Sequence, residues 1–488
     1  MIYNTRSIFI LSSLFIICLC CTSLVHAQTK NDSIAVYLKA EMKKRQIPGL
    51  QVAVIYKGRV EMLQAYGIAN LEFNIPVTNN TLFSINSCTK SFTGVVLMQL
   101  VENGKLKLTD PVSFYLDDLP DNWKKVTVYQ LVTHTSGLPD IVDMIGKLSY
   151  EEAWQKVQTM PLQFPAGEKK SYNQTNYVLL GKIIEKLSGK EFTQFIADGQ
   201  FKPAGMLNTV FGDDHQVIPN KAPSYALSQK SGDGLIKGKT PEHVFEEFPG
   251  LLRAGAGINS TAQDLANWIM ALQKGQLFKH KNTLENMWIP GKINNGEYSG
   301  WAVGWQTINR FGHRAVAGIG GSRSWFYIYP DDDLAVIVLT NLRGTMPENM
   351  AREVAGFYFP VLQSAQGADL PDSVIPVFNE IKKRGYNQAI TITDQLRSKN
   401  AGFNISEHDM TNWAYFMLMV NEQPAEALEL FKLLVHLYPK STDSWDSLGE
   451  GSEAAGDKKN AAIAYKQALQ LDTTNKHAME RLKVLGAD

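Results

Sequence analysis

Two apolar hairpins, one near each end of a long stretch from Pro48 to Thr340, constrain this chain more than any other feature. Pro48 to Tyr56 is an apolar run rich in β-branched residues, Lys57-Gly58 is a turn, and Arg59 to Tyr66 returns. Ser324 to Tyr329 and Leu334 to Thr340 form the second pair, with Pro330-Asp331-Asp332-Asp333 turning between them. Both are apolar enough to be central in a sheet. Between them the periodicity is helical: Ser91 to Asn103, Asn176 to Leu187 and Ala262 to Gln273, each stopping at or near a glycine. Strands at both ends with helices between predict an α+β domain, one antiparallel sheet closed by the two ends of the domain and covered by a helical lobe. At 488 residues the chain is too long for one ordinary core.

The charge balance excludes some functions. There are 48 basic and 48 acidic residues, so nothing suggests a nucleic-acid partner or a polybasic membrane contact. The first 27 residues read as a signal peptide: Arg6 precedes an apolar run from Ile8 to Cys21, and Val25-His26-Ala27 offers small residues before a cut after Ala27. Ile17, Leu19 and Cys20 precede the three leader cysteines, where a lipid-attachment box wants a small residue. The expected location is periplasmic or secreted, with no stable membrane span after cleavage. Of the four cysteines only Cys88 would remain, which leaves no intrachain disulfide and no cysteine metal site. No metal or organic cofactor is expected.

The chain changes character after Pro360. The expected division is a signal segment 1–27, a first domain 28–362, a polar linker 363–376 and a helical tail 377–488. In the tail Ala427 and Ala461, Phe431 and Tyr465, Leu434 and Ala468, and Leu437 and Leu471 recur at a spacing of 34. Trp445, Leu448, Gly449 and Ala455 sit where a tetratricopeptide repeat carries its landmark residues, and the tail resembles such repeats. So few repeats lack a complete solenoid core, so they are expected to pack on the first domain. A stabilising cap and a protein-partner surface are both open readings.

The chemistry centres on Ser87-Cys88-Thr89-Lys90. Three residues make about one helical turn, so the hydroxyl and the amine share a face. A helix N-terminus favours an oxygen that gains negative charge. A lysine desolvated beside it has its pKa lowered and can take the proton. Ser-x-x-Lys alone is a weak signal, and a capping serine before a surface lysine is the commoner case. Here the helix that follows (Val95, Val96, Leu97, Leu100, Val101) is apolar nearly all round, hence buried. Cys88, between the two, reads as a small core residue pointing away.

Further motifs run in order from Pro48 to Leu342. They are Pro48-Gly49, Leu82-Phe83 before Ser87, Leu131-Val-Thr-His134-Thr-Ser-Gly137-Leu-Pro139, Pro165-x-Gly167, Asn176-Tyr177-x-Leu-Leu180-Gly181, Pro203-x-Gly205-Met206, Ser260-Thr261-x-x-Asp264-Leu265 and Val338-Leu339-Thr340-Asn341. This stretch resembles the β-lactamase-related serine hydrolases: class C β-lactamases, D-Ala-D-Ala carboxypeptidases, D-aminopeptidases and related esterases. The resemblance implies Ser87 as nucleophile and Lys90 as its activating partner. It implies Tyr172 as the group that moves the proton with Lys90. The family's Tyr-x-Asn reads Tyr172-Asn173-Gln174 here, so Gln174 would contact substrate with a reach longer by one methylene, and Asn173 lies on the wrong side of the backbone to replace it. The family's Lys-Thr-Gly or His-x-Gly aligns with Gly318-Ile319-Gly320, so its cation is missing. Arg314 or Arg323 is an alternative source of charge, and His313 reads as a surface residue. The amide near Gly321, beside Gly320, would pair with that of Ser87 as an oxyanion hole. His134 reads as structural. The implied function is hydrolysis of an amide or ester (a D-amino-acid peptide, a β-lactam or a small ester) through a Ser87 acyl-enzyme, with peptidase or esterase favoured over efficient β-lactamase. The rival is a catalytically degenerate binding module that meets partners through the tail. Convergence of Ser87, Lys90 and Tyr172 beside an open cleft discriminates between them.

Overall fold

The computed structural model describes residues 29–231, 234–367, 370–400 and 402–486; the expected signal segment lies outside them. Among the described residues there are twelve strands: β1 Gly49–Tyr56, β2 Arg59–Asn70, β3 Ile75–Pro76, β4 Phe83–Ser84, β5 Val210–Phe211, β6 Tyr225–Ser231, β7 Gly234–His243, β8 Ile258–Ser260, β9 Gln306–Arg310, β10 His313–Gly320, β11 Ser324–Tyr329 and β12 Leu334–Thr340. Seven form one sheet in the order β3-β2-β1-β12-β11-β10-β9. The chain ends of the domain meet at its centre, where β1 and β12 pair antiparallel from Leu50↔Thr340 to Tyr56↔Leu334. This is the closure predicted from the two hairpins. Both strands are buried on both faces, which is why they read as continuous apolar runs and not as alternating ones.

Alternate residues of β1 serve two cores. Leu50, Val52 and Val54 pack with Ile34 and Leu38 of the helix 29–45 and with Met350 and Val354 of the helix Pro347–Gly356. Ala53 and Ile55 face the helical lobe. The centre of that lobe is the helix Thr89–Glu102, in which every residue from Thr89 to Met98 is buried. The helices Gln174–Ser188 and Ala262–Gln273 belong to the same core. Gln51 reaches out of β1 to join them: its amide donates to Thr78 O (2.6 Å) and Thr81 O (3.0 Å) and accepts from Ala262 N–H (2.8 Å).

Residues up to Gln363 form one compact unit and those from Ser364 a second. The second is helical: Ile375–Arg384, Ala389–Lys399, Glu407–Tyr415, Pro424–Leu437, Thr442–Ala454, Lys458–Leu471 and Lys476–Leu485. Ala427 and Ala461, Phe431 and Tyr465, and Leu434 and Ala468 are all fully buried, so these pairs occupy matching positions on two helices. Leu471, the last of the series, is 40% exposed. Glycines admit the aromatic rings: a Cβ on Gly449 would lie 2.3 Å from Tyr465, and one on Gly451 2.2 Å from Phe431. The stretch 363–376 contributes to the second unit's core. Its Leu370 and Val374 are buried in the helical core, because a short apolar stretch next to a helix start gains more by burial than by exposure.

Candidate active site

Ser87 sits in a single 3₁₀ turn, Asn86–Cys88, which runs directly into the central helix. The turn is pinned on both sides. Ile85 N–H donates to Ile258 O of β8 (2.9 Å), and Thr89 Oγ1 donates to Asn86 O (2.6 Å). Asn86 has φ +47°, a left-handed conformation that asparagine tolerates better than most residues. Cys88 is fully buried with its Sγ toward Ser324 O (3.7 Å), and burial pushes its thiol pKa up, so it is the inert core residue expected.

Lys90 is the second residue of the helix and only 1% exposed. Its Nζ lies 3.1 Å from Ser87 Oγ, 2.8 Å from Gln174 Oε1 and 3.0 Å from Gly255 O. Burial lowers its pKa from 10.5 to about 7, with Asp140 and then Cys88 pulling it partly back. Two of the three partners are carbonyl oxygens, which only accept. When the amine is neutral its two N–H bonds serve Gln174 and Gly255, and its lone pair faces the serine hydroxyl.

Tyr172 closes the group. Its ring centroid is 4.8 Å from Lys90 Nζ, and Ser87 lies close enough to act on its hydroxyl. Burial pushes its hydroxyl pKa up, and Ser87 opposes the rise. Ser87 is half-buried and Tyr172 is 44% exposed, so the site opens to solvent. His134 brackets this tyrosine. Its O accepts from Ser171 N–H (2.9 Å), its Nδ1 accepts from Asn173 N–H (3.1 Å), and its ring lies 4.5 Å from that of Tyr172. The imidazole is fully buried, which holds its pKa well below the usual histidine value, and a neutral ring is what accepting at Nδ1 requires.

Gln174, with its extra methylene, brings its amide oxygen to Lys90 (2.8 Å). The space for the longer side chain comes from Gly255, where a Cβ would lie 2.0 Å from Gln174 Nε2. Its own backbone N–H donates to Asp140 Oδ1 (3.0 Å). Asn173 is turned away from the site: it caps the helix Gln174–Ser188 by accepting from Asn176 N–H (3.1 Å) and donates to Leu138 O (2.6 Å). Gly320 and Gly321 lie against the nucleophile turn. A Cβ on Gly320 would fall 2.2 Å from Ile85 O, and one on Gly321 3.0 Å from Asn86 Cγ.

Neither alternative cation enters the site. Arg314 is exposed and paired with Asp331 (2.9 Å), and His313 is half-buried with Asp332 (2.8 Å). Arg323 is 2% exposed and paired with Glu246. With the Asn86 amide oxygen toward the guanidinium, Asn86 accepts from Arg323 (2.8 and 3.1 Å) and donates to Glu246 (3.0 Å). Arg323 thus braces the turn behind Ser87. Sequence reasoning missed Gly255, Asp140 and this brace. The spacing Gly255-Ala256-Gly257 was the one available signal, since paired glycines mark a close backbone approach.

Residues 34–357 match the Beta-lactamase family, and the chain belongs to it. The chain is 26% identical to Protein flp of Staphylococcus aureus over 64% of each chain, so it spans about 64% of the length of that relative. It is 28% identical to a Beta-lactamase of Escherichia coli over 59% of this chain and 74% of the relative. Among solved structures it resembles the octameric penicillin-binding protein homologue from Pyrococcus abyssi (TM-score 0.57, 28% identity, 67% of this chain and 77% of that one). The fold is also that of a penicillin-binding protein from Bacillus halodurans (TM-score 0.53, 24% identity, 65% and 99%).

Proposed function

We propose that this chain is an exported serine acyl hydrolase that cleaves an ester or amide through a covalent intermediate on Ser87. Oγ attacks the carbonyl carbon as the neutral Lys90 amine takes its proton. Tyr172 passes that proton to the leaving oxygen or nitrogen as the bond to it breaks. Water then attacks the ester on Ser87 by the same groups in reverse, releasing an acid and restoring the hydroxyl. The amides of Ser87 and Gly321 are assigned to the oxyanion, and Gln174 to orienting Lys90 and substrate. The observation that carries this reading is the 3.1 Å approach of a buried amine to Ser87 with two carbonyls occupying its N–H bonds. The meeting of Ser87, Lys90 and Tyr172 at a solvent-open site supports turnover over the degenerate binding module. Hydrolysis of a chromogenic ester by Ser87→Ala and Lys90→Met tests it. Losses of roughly 10³-fold or more in kcat are expected; unchanged turnover in either variant would overturn it.

A further inference from the structure

We propose that the site takes uncharged esters or amides, substrates with no carboxylate beside the bond that is cleaved; this rests on the acyl-enzyme reading above. The first observation is at the strand position where a cation would project. Gly318 of β10 pairs with Phe326 of β11, and a Cβ on Gly318 would lie 2.1, 2.5 and 2.6 Å from three atoms of that ring. Phe326 is fully buried, packed edge-on to Trp268 (6.0 Å) and Trp305 (5.8 Å). The volume a lysine or histidine stem would need is therefore filled by an aromatic cluster, and β10 offers backbone alone. Two residues on, Gly320 is equally closed by Ile85 O.

The neighbouring charges point the same way. Arg323 directs Nη2 and Nε to Glu246 and Asn86 beneath the nucleophile turn, and its Nη1 is buried without a partner among the described residues. Lys90 already serves two carbonyls. Asp140, on the backbone N–H of Gln174, adds negative charge to this side. Arg343, past the end of β12, and Lys170, two residues before Tyr172, are exposed, and solvated cations attract an anion weakly and in a salt-dependent way. A carboxylate brought to Ser87 would lose water without gaining a fixed counter-charge. A neutral group loses far less.

A matched pair of aryl esters tests this with the mature full-length chain. The meta-carboxyphenyl and meta-carbamoylphenyl esters of one acyl group differ in the charge of the leaving phenol. In each, the carbonyl carbon to aryl oxygen bond breaks as the bond to Ser87 Oγ forms, the serine proton leaves with the phenol, and water releases the acid. The expected result is kcat/KM at least about tenfold higher for the carbamoyl ester at low and at physiological salt. Equal values, or a preference for the carboxylate, would overturn the inference. Labelling of Ser87 by a fluorophosphonate is run alongside. Labelling together with a carboxylate preference refutes this proposal and leaves the acyl-enzyme reading standing. Absence of both labelling and turnover refutes the two together.

Discussion

An amine that is 1% exposed holds a proton poorly, because burial penalises its charged form. Lys90 acts as a base only when neutral, and its pKa is lowered to about 7. Activity is therefore expected to rise with pH through an acid limb centred near 7, since the working form exists above that value. A kcat/KM profile that is flat from pH 6 to 8 would contradict this. His134 gives a second prediction. It holds Tyr172 from both flanks and by ring contact, without touching Ser87. His134→Ala should lower kcat by about 10- to 100-fold with little change in KM, because a small misplacement of a proton-transfer group is costly. His134→Asn, which keeps a carbonyl oxygen for Asn173 N–H, should recover part of the loss. A change in KM alone would argue against a positioning role. Gly255→Ala should act like a loss of Gln174, since its Cβ would fall on the amide of that side chain.

The elements were legible in proportion to how local their causes are. β11 and β12 fall at the expected residues because each is an apolar run bounded by Pro330 to Asp333. The helix Ala262–Gln273 begins after Thr261, whose side chain accepts from Asp264 N–H. Ser87 and Lys90 were legible from their spacing and Tyr172 from the family resemblance, and the structure brings Lys90 Nζ to 3.1 Å from Ser87 Oγ and 4.8 Å from the Tyr172 ring. The reach of Gln174 was not, because it depends on Gly255, 81 positions away in sequence, leaving room. Nor was the fate of the missing cation, which depends on the cross-strand register of Gly318 and Phe326. The helix carrying Gln174 supplies a stability prediction. Asn173→Ala removes its N-cap and the bond to Leu138 O, and should cost about 1–2 kcal/mol. Thermal or denaturant unfolding would measure it, and an unchanged midpoint would contradict the capping role.

On the scale of the whole molecule, each unit has an apolar core of its own. Two cores flank the sheet of the first, and the second buries Trp413, Leu430 and Phe431 in its main cluster. A chain ending at Gln363 keeps every residue placed at the site. It is expected to fold and to react with a serine probe at the full-length rate. A shortened chain that folds but does not react would show that the helical unit contributes to the chemistry. The central claim is that Ser87 becomes acylated. Intact mass after incubation with a fluorophosphonate tests it most directly. One adduct per native chain, mapped to Ser87 and absent from Ser87→Ala, is the result expected. An unmodified native chain, or equal labelling of Ser87→Ala, would contradict the account.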